Sequence, residues 1–242
     1  MRKFLFMLDF DGTLVPIADY PDAIVVPPEL PNLLITLRQH GHEVIIITGR
    51  PAKDVKKHFK RRNIPIIGLH GLQKGEGDAR LMHEVMQHIK PLESEYPGLL
   101  VENKHRCVAV HYRGVAKNLQ KKAYQALQNL FIQYIHQSNE RSKDKHLSML
   151  DGNMVLELRP VQASKAHAVE RLIHKYPHLH PLYMGDDTTD EEAFAAMEKR
   201  GTTILVGKKR KTLAKHRLTS VYAVLKFLRQ IAKGQSVHLK PL

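Results

Sequence analysis

The feature that most constrains this 242-residue chain is an apolar run near its start that ends in two acidic residues. Residues 4–8 read Phe-Leu-Phe-Met-Leu, which is typical of a strand buried on both faces of a parallel sheet. Asp9 and Asp11 follow, and Gly12 provides a turn. Because strands of an open α/β sheet point their carboxyl ends at the ligand crevice, we expect both carboxylates to face a substrate or a metal ion.

The composition is that of a globular protein, since 43% of the residues are hydrophobic and the length suits one large domain or two modest ones. The single cysteine, Cys107, excludes an intrachain disulfide and fits a reducing compartment. It lies in an apolar run and is expected to pack in a core. The sequence shows no apolar stretch of about eighteen residues and no leader-like start, so we expect a cytoplasmic protein without a membrane span.

The formal net charge is +14, and much of it lies in two segments. We call residues 53–62 the first basic cluster, from Lys53 to Arg62, and residues 208–217 the second basic cluster, from Lys208 to Arg217. Such surfaces attract phosphorylated metabolites, nucleic acids or acidic headgroups. No interleaved aromatic residues or nucleic-acid motif accompany them, so we interpret them as solvated faces and do not expect nucleic acid as a partner.

The residues after the first strand predict a βαβ unit. Leucines at helical spacing predict a helix over 29–39. The apolar residues at 43–47 predict a second buried strand, and those at 64–69 predict a third. Thr48, Gly49 and Arg50 close the second strand. A hydroxyl beside exposed turn amides suits phosphoryl oxygens, although simple strand-to-helix punctuation is the alternative.

The pattern changes between residues 76 and 161. Two helical stretches, near 81–92 and 119–134, accompany short strands near 99–102, 107–112, 146–150 and 155–158. A connection of this length with elements of its own indicates a second domain. We therefore predict an α/β fold with a Rossmann-like parallel-sheet core, residues 1–75 and 162–242, and an inserted α+β domain, residues 76–161.

The βαβ pattern returns with a helix beginning at Lys165 and a strand over 181–184. Thr188 or Thr189 is predicted to cap a helix that carries Ala193, Phe194 and Met197. A strand over 203–207 and a helix over 221–231 are predicted to complete the core. The strand ending at 184 runs into four acids within six residues: Asp186, Asp187, Asp190 and Glu191. These carboxylates would repel one another unless a cation or hydrogen bonds compensate.

Carboxylates from two strand ends therefore meet at one crevice, and such oxygen ligands favour Mg²⁺. Phosphoryl transfer needs positioning and charge neutralisation, which a metal ion, a lysine and turn amides supply. One carboxylate can attack phosphorus, while a second protonates the leaving alkoxide and then activates water. The pattern thus favours a metal-dependent phosphatase.

In identity and order, these residues resemble the haloacid dehalogenase-like (HAD) phosphatases. The resemblance is carried by DFDGTL at 9–14, TGR at 48–50, Lys165 and GDDTTDE at 185–191. VENK at 101–104, HYR at 111–113 and LELRP at 156–160 resemble the trehalose-6-phosphate phosphatases in particular. The resemblance spans nearly the whole chain and implies a HAD-like hydrolase core with a cap domain that sets substrate specificity.

The resemblance also implies a role for each core residue. Asp9 would be the nucleophile, and Asp11 the general acid and base that also offers its backbone carbonyl to the metal. Thr48 and Lys165 would hold the phosphoryl oxygens, with Lys165 also fixing Asp9. The implied Mg²⁺ set is Asp9, Asp11 and Asp186, with Asp187 and Asp190 supporting the metal and its waters. The implied substrate-binding residues are Gly49, Arg50, Glu102, Lys104, Arg113 and Glu157, the last four for the sugar.

The implied reaction is Mg²⁺-dependent hydrolysis of trehalose 6-phosphate to trehalose and phosphate through an aspartyl-phosphate. The substrate is then a small-molecule sugar phosphate, and a trehalose-6-phosphate synthase is a candidate partner. Two alternatives stay open. The same chemistry would serve sucrose phosphate or mannosyl-glycerate phosphate, and a non-catalytic sugar-phosphate-binding or partner subunit would dock through its basic clusters. Glu102, Lys104 and Arg113 would otherwise form a surface row of ion pairs.

Overall fold

The computed structural model of the protein describes residues 2–18, 23–59, 62–73, 75–140, 146–152, 154–237, 239 and 241–242. The chain divides into two compact units. We call Met1–Gly71 with Ser164–Leu242 the core unit, and Leu72–Ala163 the cap unit. The junctions fall after residues 71 and 163, where the sequence predicts them after 75 and 161.

With the exception of one short strand at residues 216–218, strands and helices follow one another in the order that the sequence pattern indicates. The strands are β1 (Phe4–Leu8), β2 (Glu43–Ile47), β3 (Ile66–Ile67), β4 (Leu100–Asn103), β5 (Val108–His111), β6 (Leu147–Gly152), β7 (Val155–Pro160), β8 (His180–Gly185), β9 (Thr202–Val206) and β10 (His216–Leu218). The helices are α1 (Leu30–Gln39), α2 (Ala52–Phe59), α3 (Ala79–Glu95), α4 (Gln120–Asn139), α5 (Lys165–Lys175), α6 (Asp190–Ala196) and α7 (Val221–Ala232).

The core unit is built on a parallel sheet in which the described strands follow the order β10-β9-β8-β1-β2-β3. Successive side chains of β1 point to opposite faces, and both faces are buried. Phe6 and Leu8 pack in a cluster with residues of α1 and α7, whereas Leu5 and Met7 pack with residues of α5 and α6. Burial on both faces explains why β1 reads as a continuous apolar run.

The same sheet brings three polar segments to one edge. β1 pairs in parallel with β2 on one side and with β8 on the other. Asp9, Thr48 and Asp186 each follow the last residue of one of these strands. Since carboxyl ends of parallel strands lie at the same edge, the topology alone brings these three residues of the predicted site together.

The cap unit is an antiparallel sheet in the order β4-β5-β7-β6 with two helices. Val110 and Leu156 face α3 and α4 and pack against residues such as Val85 and Phe131. Cys107 is fully buried, as the sequence predicts. The parallel sheet with an additional antiparallel sheet confirms the predicted fold class.

The structure corrects three expectations. The third strand is only Ile66–Ile67, because the chain turns at Leu69–Gly71, where Leu69 and His70 adopt φ of 51° and 53°. Strand β10 is not predicted from the sequence, since it begins within the basic residues at the end of the second basic cluster. Thr189 occupies the N-cap of α6, but its side chain makes no capping hydrogen bond. Within the described residues, no helix is long and apolar enough to cross a membrane.

Candidate active site

Lys165 lies at the centre of the predicted site. It is the first residue of α5, and only 2% of its surface is exposed. Its Nζ donates to Oδ1 of Asp9 at 2.7 Å and to Oδ1 of Asp190 at 2.6 Å. Burial by itself lowers the pKa of Lys165, but the Asp190 and Asp9 carboxylates outweigh it and raise that pKa, so the ammonium stays charged.

Asp190 is fully buried and binds four donors. Its Oδ1 accepts from the Tyr183 hydroxyl at 2.7 Å as well as from Lys165. Its Oδ2 accepts the backbone N–H groups of Asp186 at 2.9 Å and Asp187 at 3.0 Å. A carboxylate offers about four acceptor positions, so Asp190 ties the lysine to the loop that carries the other acids.

Three of the five acids implied as metal ligands form one group. Carboxylate oxygens of Asp9, Asp186 and Asp190 lie within 4.8 Å of one another. Burial, together with the charges of Asp190 and Asp186, holds the pKa of Asp9 well above its usual range, although Lys165 opposes this shift. Burial, followed by the charges of Asp190 and Asp187, raises the pKa of Asp186 to about 7.

This acid group fits a hard divalent cation. Asp9 and Asp186 offer carboxylate oxygens as ligands, whereas the acceptor positions of Asp190 are filled by four donors. Burial raises the pKa of Asp9 and of Asp186, so a cation bound beside them would stabilise their charged forms. The space is reserved by a glycine, because a Cβ built on Gly12 would lie 2.0 Å from Oδ2 of Asp186. Gly12 also has a φ of 75°, which favours glycine.

The side chain of Asp11 binds Arg50 and does not belong to this acid group. Arg50 donates to it through Nε at 2.7 Å and Nη2 at 2.9 Å, which is a bidentate guanidinium–carboxylate pair. The structure therefore places Arg50 beside the predicted general acid and base. Asp187 also turns away from the acid group, since its Oδ1 accepts the N–H of Thr188 at 2.7 Å.

The turn after β2 presents a buried hydroxyl at the strand end. Thr48 is buried, and its Oγ1 accepts the N–H of Arg50 at 3.1 Å, which leaves its own proton to donate. Gly49 is required here, because a Cβ at that position would lie 2.6 Å from the imidazole ring of His70. Both residues thus occupy the strand-end position that the sequence predicts.

The cap unit collects three of the four predicted sugar-binding residues on the sheet face that is turned away from its helices. Lys104 Nζ donates to Oε2 of Glu157 at 2.7 Å and lies 3.9 Å from Oε2 of Glu102. Glu102 also lies 3.3 Å from Nε2 of His111. Lys104 and Glu157 are 7% and 4% exposed, so they do not form a solvated surface row. Arg113 is exposed in the segment after β5.

The first basic cluster behaves as predicted over its described part. Val55 and Phe59 of α2 are buried, and Lys53 and Lys56 are exposed. The helix is therefore amphipathic, with its lysines on the solvent side. Lys60 and Arg61, which the sequence assigns to the same cluster, lie outside the described residues.

Sequence reasoning missed two residues that support the acids. Tyr183 reads as one more apolar position of β8, but its hydroxyl binds Asp190. Arg210 reads as part of the second basic cluster, yet its Nη2 donates to the backbone carbonyl of Asp187 at 2.8 Å. Neither position carries a sequence signal that distinguishes it from its neighbours.

The core unit carries acids from two strand ends around a buried lysine, as the sequence predicts. The fold of the chain is similar to the folds of two solved structures. The C-terminal domain of trehalose-6-phosphate phosphatase from C. albicans superposes with a TM-score of 0.79 at 22% identity, covering 97% of this chain and 93% of that one. A haloacid dehalogenase-like hydrolase from Bacteroides thetaiotaomicron gives 0.65 at 12% identity, covering 95% of this chain and 100% of that one.

Sequence comparison is more specific. Residues 7–222 match the family described as trehalose-phosphatase. A probable trehalose-phosphate phosphatase of Sinorhizobium fredii is 31% identical over 83% of this chain and 76% of its own length. The trehalose-6-phosphate phosphatase of Escherichia coli is 26% identical over 82% of this chain and 75% of its own length. The chain belongs to the trehalose-phosphatase family and is a phosphoric monoester hydrolase.

Proposed function

We propose that this protein hydrolyses trehalose 6-phosphate to trehalose and phosphate with Mg²⁺ as its cofactor. The observation that carries the proposal is the pair of 2.7 and 2.6 Å contacts by which Lys165 joins Asp9 to Asp190, beside Asp186. A carboxylate, a buried positive charge and a second acid therefore lie together at one edge of the sheet, which supports Asp9 as the nucleophile. Membership of the trehalose-phosphatase family supports trehalose 6-phosphate as the substrate.

In the first half of the reaction, a carboxylate oxygen of Asp9 attacks phosphorus and forms an aspartyl-phosphate as the bond to the sugar oxygen breaks. Asp11 gives its proton to the departing alkoxide, which leaves as trehalose. In the second half, Asp11 takes a proton from water, and the resulting hydroxide attacks phosphorus. Phosphate departs and the Asp9 carboxylate is restored.

The neighbouring residues position these groups. Thr48 and Lys165 donate to phosphoryl oxygens, and Lys165 also orients Asp9. Arg50 holds Asp11 through its bidentate pair in the substrate-free protein. A Mg²⁺ ion would be held by Asp9, Asp186 and the Asp11 backbone carbonyl, with Asp187 and Asp190 in support, and would neutralise phosphoryl charge.

The sugar contacts are assigned to the cap unit. Glu102, Lys104 and Glu157 share one sheet face, and carboxylates and ammonium groups hydrogen-bond sugar hydroxyls in pairs. Arg113 is the fourth proposed sugar contact. Lys104 and Glu157 already pair with each other, so their geometry is preset before any sugar binds.

The proposal is tested by measuring phosphate release from trehalose 6-phosphate, sucrose 6-phosphate and mannosyl-glycerate phosphate, each with Mg²⁺ and with EDTA. We expect trehalose 6-phosphate to be hydrolysed fastest and EDTA to abolish release. Asp9→Asn should lose activity, and Asp54→Asn, the same change on α2, should not. Wild-type rates in Asp9→Asn would contradict the nucleophile assignment.

The same screen addresses the alternatives. A higher kcat/KM on another sugar phosphate would show that this compound, and not trehalose 6-phosphate, is the substrate. If Glu157→Ala leaves the ranking of the sugar phosphates unchanged, Glu157 does not bind the sugar. No release from any sugar phosphate, together with tight binding of one, would favour a non-catalytic subunit. We also predict a cytoplasmic location, which cell fractionation tests. Association with a trehalose-6-phosphate synthase is a further prediction, and co-purification with the synthase tests it.

A further inference from the structure

Arg210 binds the acid-bearing loop, although its side chain is 28% exposed. It lies between β9 and β10, in a run of four basic residues. Its Nη2 donates to the backbone carbonyls of Asp187 at 2.8 Å and of Asp186 at 3.4 Å. Its Nη1 donates to Oε1 of Glu191 at 2.5 Å. The neighbouring Lys209, by contrast, is exposed.

Glu191 fastens the same segment a second time. It lies in the first turn of α6, and its Oε2 accepts the backbone N–H of Leu213 at 2.8 Å. Its two carboxylate oxygens therefore hold one side chain and one backbone group of the segment that carries Arg210. This double attachment fixes where the Arg210 guanidinium can sit.

The consequence concerns the backbone of Asp186 and Asp187. Both of their N–H groups bind Oδ2 of Asp190, and both of their carbonyls accept from Arg210. The dipeptide is thus held from its N–H side by one buried carboxylate and from its carbonyl side by one guanidinium. Rotation of either peptide plane would break a charge-assisted hydrogen bond.

We propose that Arg210 is a positioning residue that holds Asp186 in place for the metal ion. This inference rests on the proposed function, because it takes Asp186 as a ligand of Mg²⁺. Residues that orient metal ligands typically change metal affinity by about 10- to 100-fold when they are removed. The forked guanidinium is what the arrangement needs, since Nη1 and Nη2 serve different partners.

The sign of the effect separates positioning from charge. Arg210 is a cation close to the acid group, so its charge alone repels Mg²⁺. If only charge mattered, Arg210→Gln would bind Mg²⁺ more tightly than the wild type. If Arg210 positions Asp186, the same variant binds Mg²⁺ more weakly despite losing a repulsive charge.

The experiment is calorimetric titration of Mg²⁺ into substrate-free wild-type protein, Arg210→Gln, Arg210→Lys and the matched control Lys209→Gln. We expect the Mg²⁺ Kd of Arg210→Gln to rise about 10- to 100-fold. Arg210→Lys, which keeps the charge but not the fork, should also bind more weakly, and Lys209→Gln should match the wild type. Unchanged or tighter binding by Arg210→Gln would overturn the proposal.

Two further measurements test whether Arg210 acts by positioning the backbone of Asp186 and Asp187. Hydrogen exchange at the Asp186 and Asp187 amides, without metal, should accelerate in Arg210→Gln and stay unchanged in Lys209→Gln; equal exchange in all proteins would also overturn the proposal. Glu191→Gln combined with Arg210→Gln should weaken Mg²⁺ binding by less than the product of the single effects, because both act through one contact. Full activity and Mg²⁺ binding in the wild type with no effect of Arg210→Gln would refute this inference alone, whereas no Mg²⁺ binding by the wild type would refute both it and the proposed cofactor.

Discussion

Replacing Lys165 with methionine is the most informative test of the buried charge network. Methionine keeps much of the length and apolar stem of lysine but removes the ammonium, so Asp9 and Asp190 lose the donor that lies 2.7 and 2.6 Å from them. Asp9 and Lys165 are 5% and 2% exposed, and Asp190 is fully buried, so water does not replace the lost contacts. The variant therefore leaves two carboxylates buried without their cation.

The expected loss of stability follows from these contacts. A hydrogen bond to a charged group contributes about 1.5–3 kcal/mol, and Lys165 makes two. Breaking a buried ion pair by removing one partner costs about 3–5 kcal/mol, which agrees with that range. We expect the free energy of unfolding at pH 7 to fall by about 3–5 kcal/mol.

The pH dependence has a definite sign. An acid whose pKa is raised in the folded state binds more protons there than when unfolded, so its contribution to stability falls as pH rises from its unfolded pKa towards its folded pKa. Lys165 lowers the pKa of Asp9, and its removal raises that pKa further. The stability deficit of Lys165→Met should thus be largest near neutral pH and shrink as the pH approaches about 4.

The assay is urea unfolding followed by circular dichroism in EDTA at several pH values between 4 and 7.5. Lys175→Met is the matched control, because Lys175 is an exposed lysine of the same helix whose ammonium lies over the Tyr176 ring. It should cost less than about 1 kcal/mol at every pH. A deficit for Lys165→Met below about 1 kcal/mol at pH 7, or one that does not change with pH, would refute the reasoning.

Three further perturbations probe other parts of the structure. Gly12→Ala should abolish Mg²⁺ binding in calorimetry, because the new Cβ would lie 2.0 Å from Oδ2 of Asp186. The control is Gly41→Ala, which is also at positive φ but whose Cβ would lie 3.4 Å from the nearest atom; it should retain Mg²⁺ binding and lose only stability. Burial raises the pKa of the Cys107 thiol to about 12, so alkylation by iodoacetamide should stay slow at pH 8 in native protein and become fast in urea; equal rates would contradict the burial. Phe131→Ala should destabilise the cap unit by about 3–5 kcal/mol, which would appear as faster hydrogen exchange within residues 72–163. Equal acceleration of exchange in the core unit would show that the two units do not unfold separately.

Local sequence patterns predicted a central strand from its burial on both faces and a helix from its amphipathic period. Strand β2 is predicted over residues 43–47 and is observed there, and the helix predicted to begin at Lys165 does so. β3 was overestimated because its apolar residues continue into a turn at positive φ. Strand β10 was missed because a short edge strand with basic residues carries no apolar period.

The residue types and order at the strand ends were sufficient to predict which side chains gather, since the carboxyl ends of parallel strands share an edge whatever the loops do. The sequence thus determined the fold class and the presence of an acidic site with one lysine. The motifs at these strand ends also indicated the phosphatase family.

Only the tertiary structure decided which atoms bind one another. Lys165 binds Asp9, although the two residues are 156 positions apart in the sequence. Arg210 lies in a run of lysines, but it binds the backbone carbonyl of Asp187. Asp190 proves to be saturated with four donors, and Arg50 to pair with Asp11. Such contacts depend on side-chain direction and loop conformation, which arise when distant segments pack together and leave no mark in the local sequence.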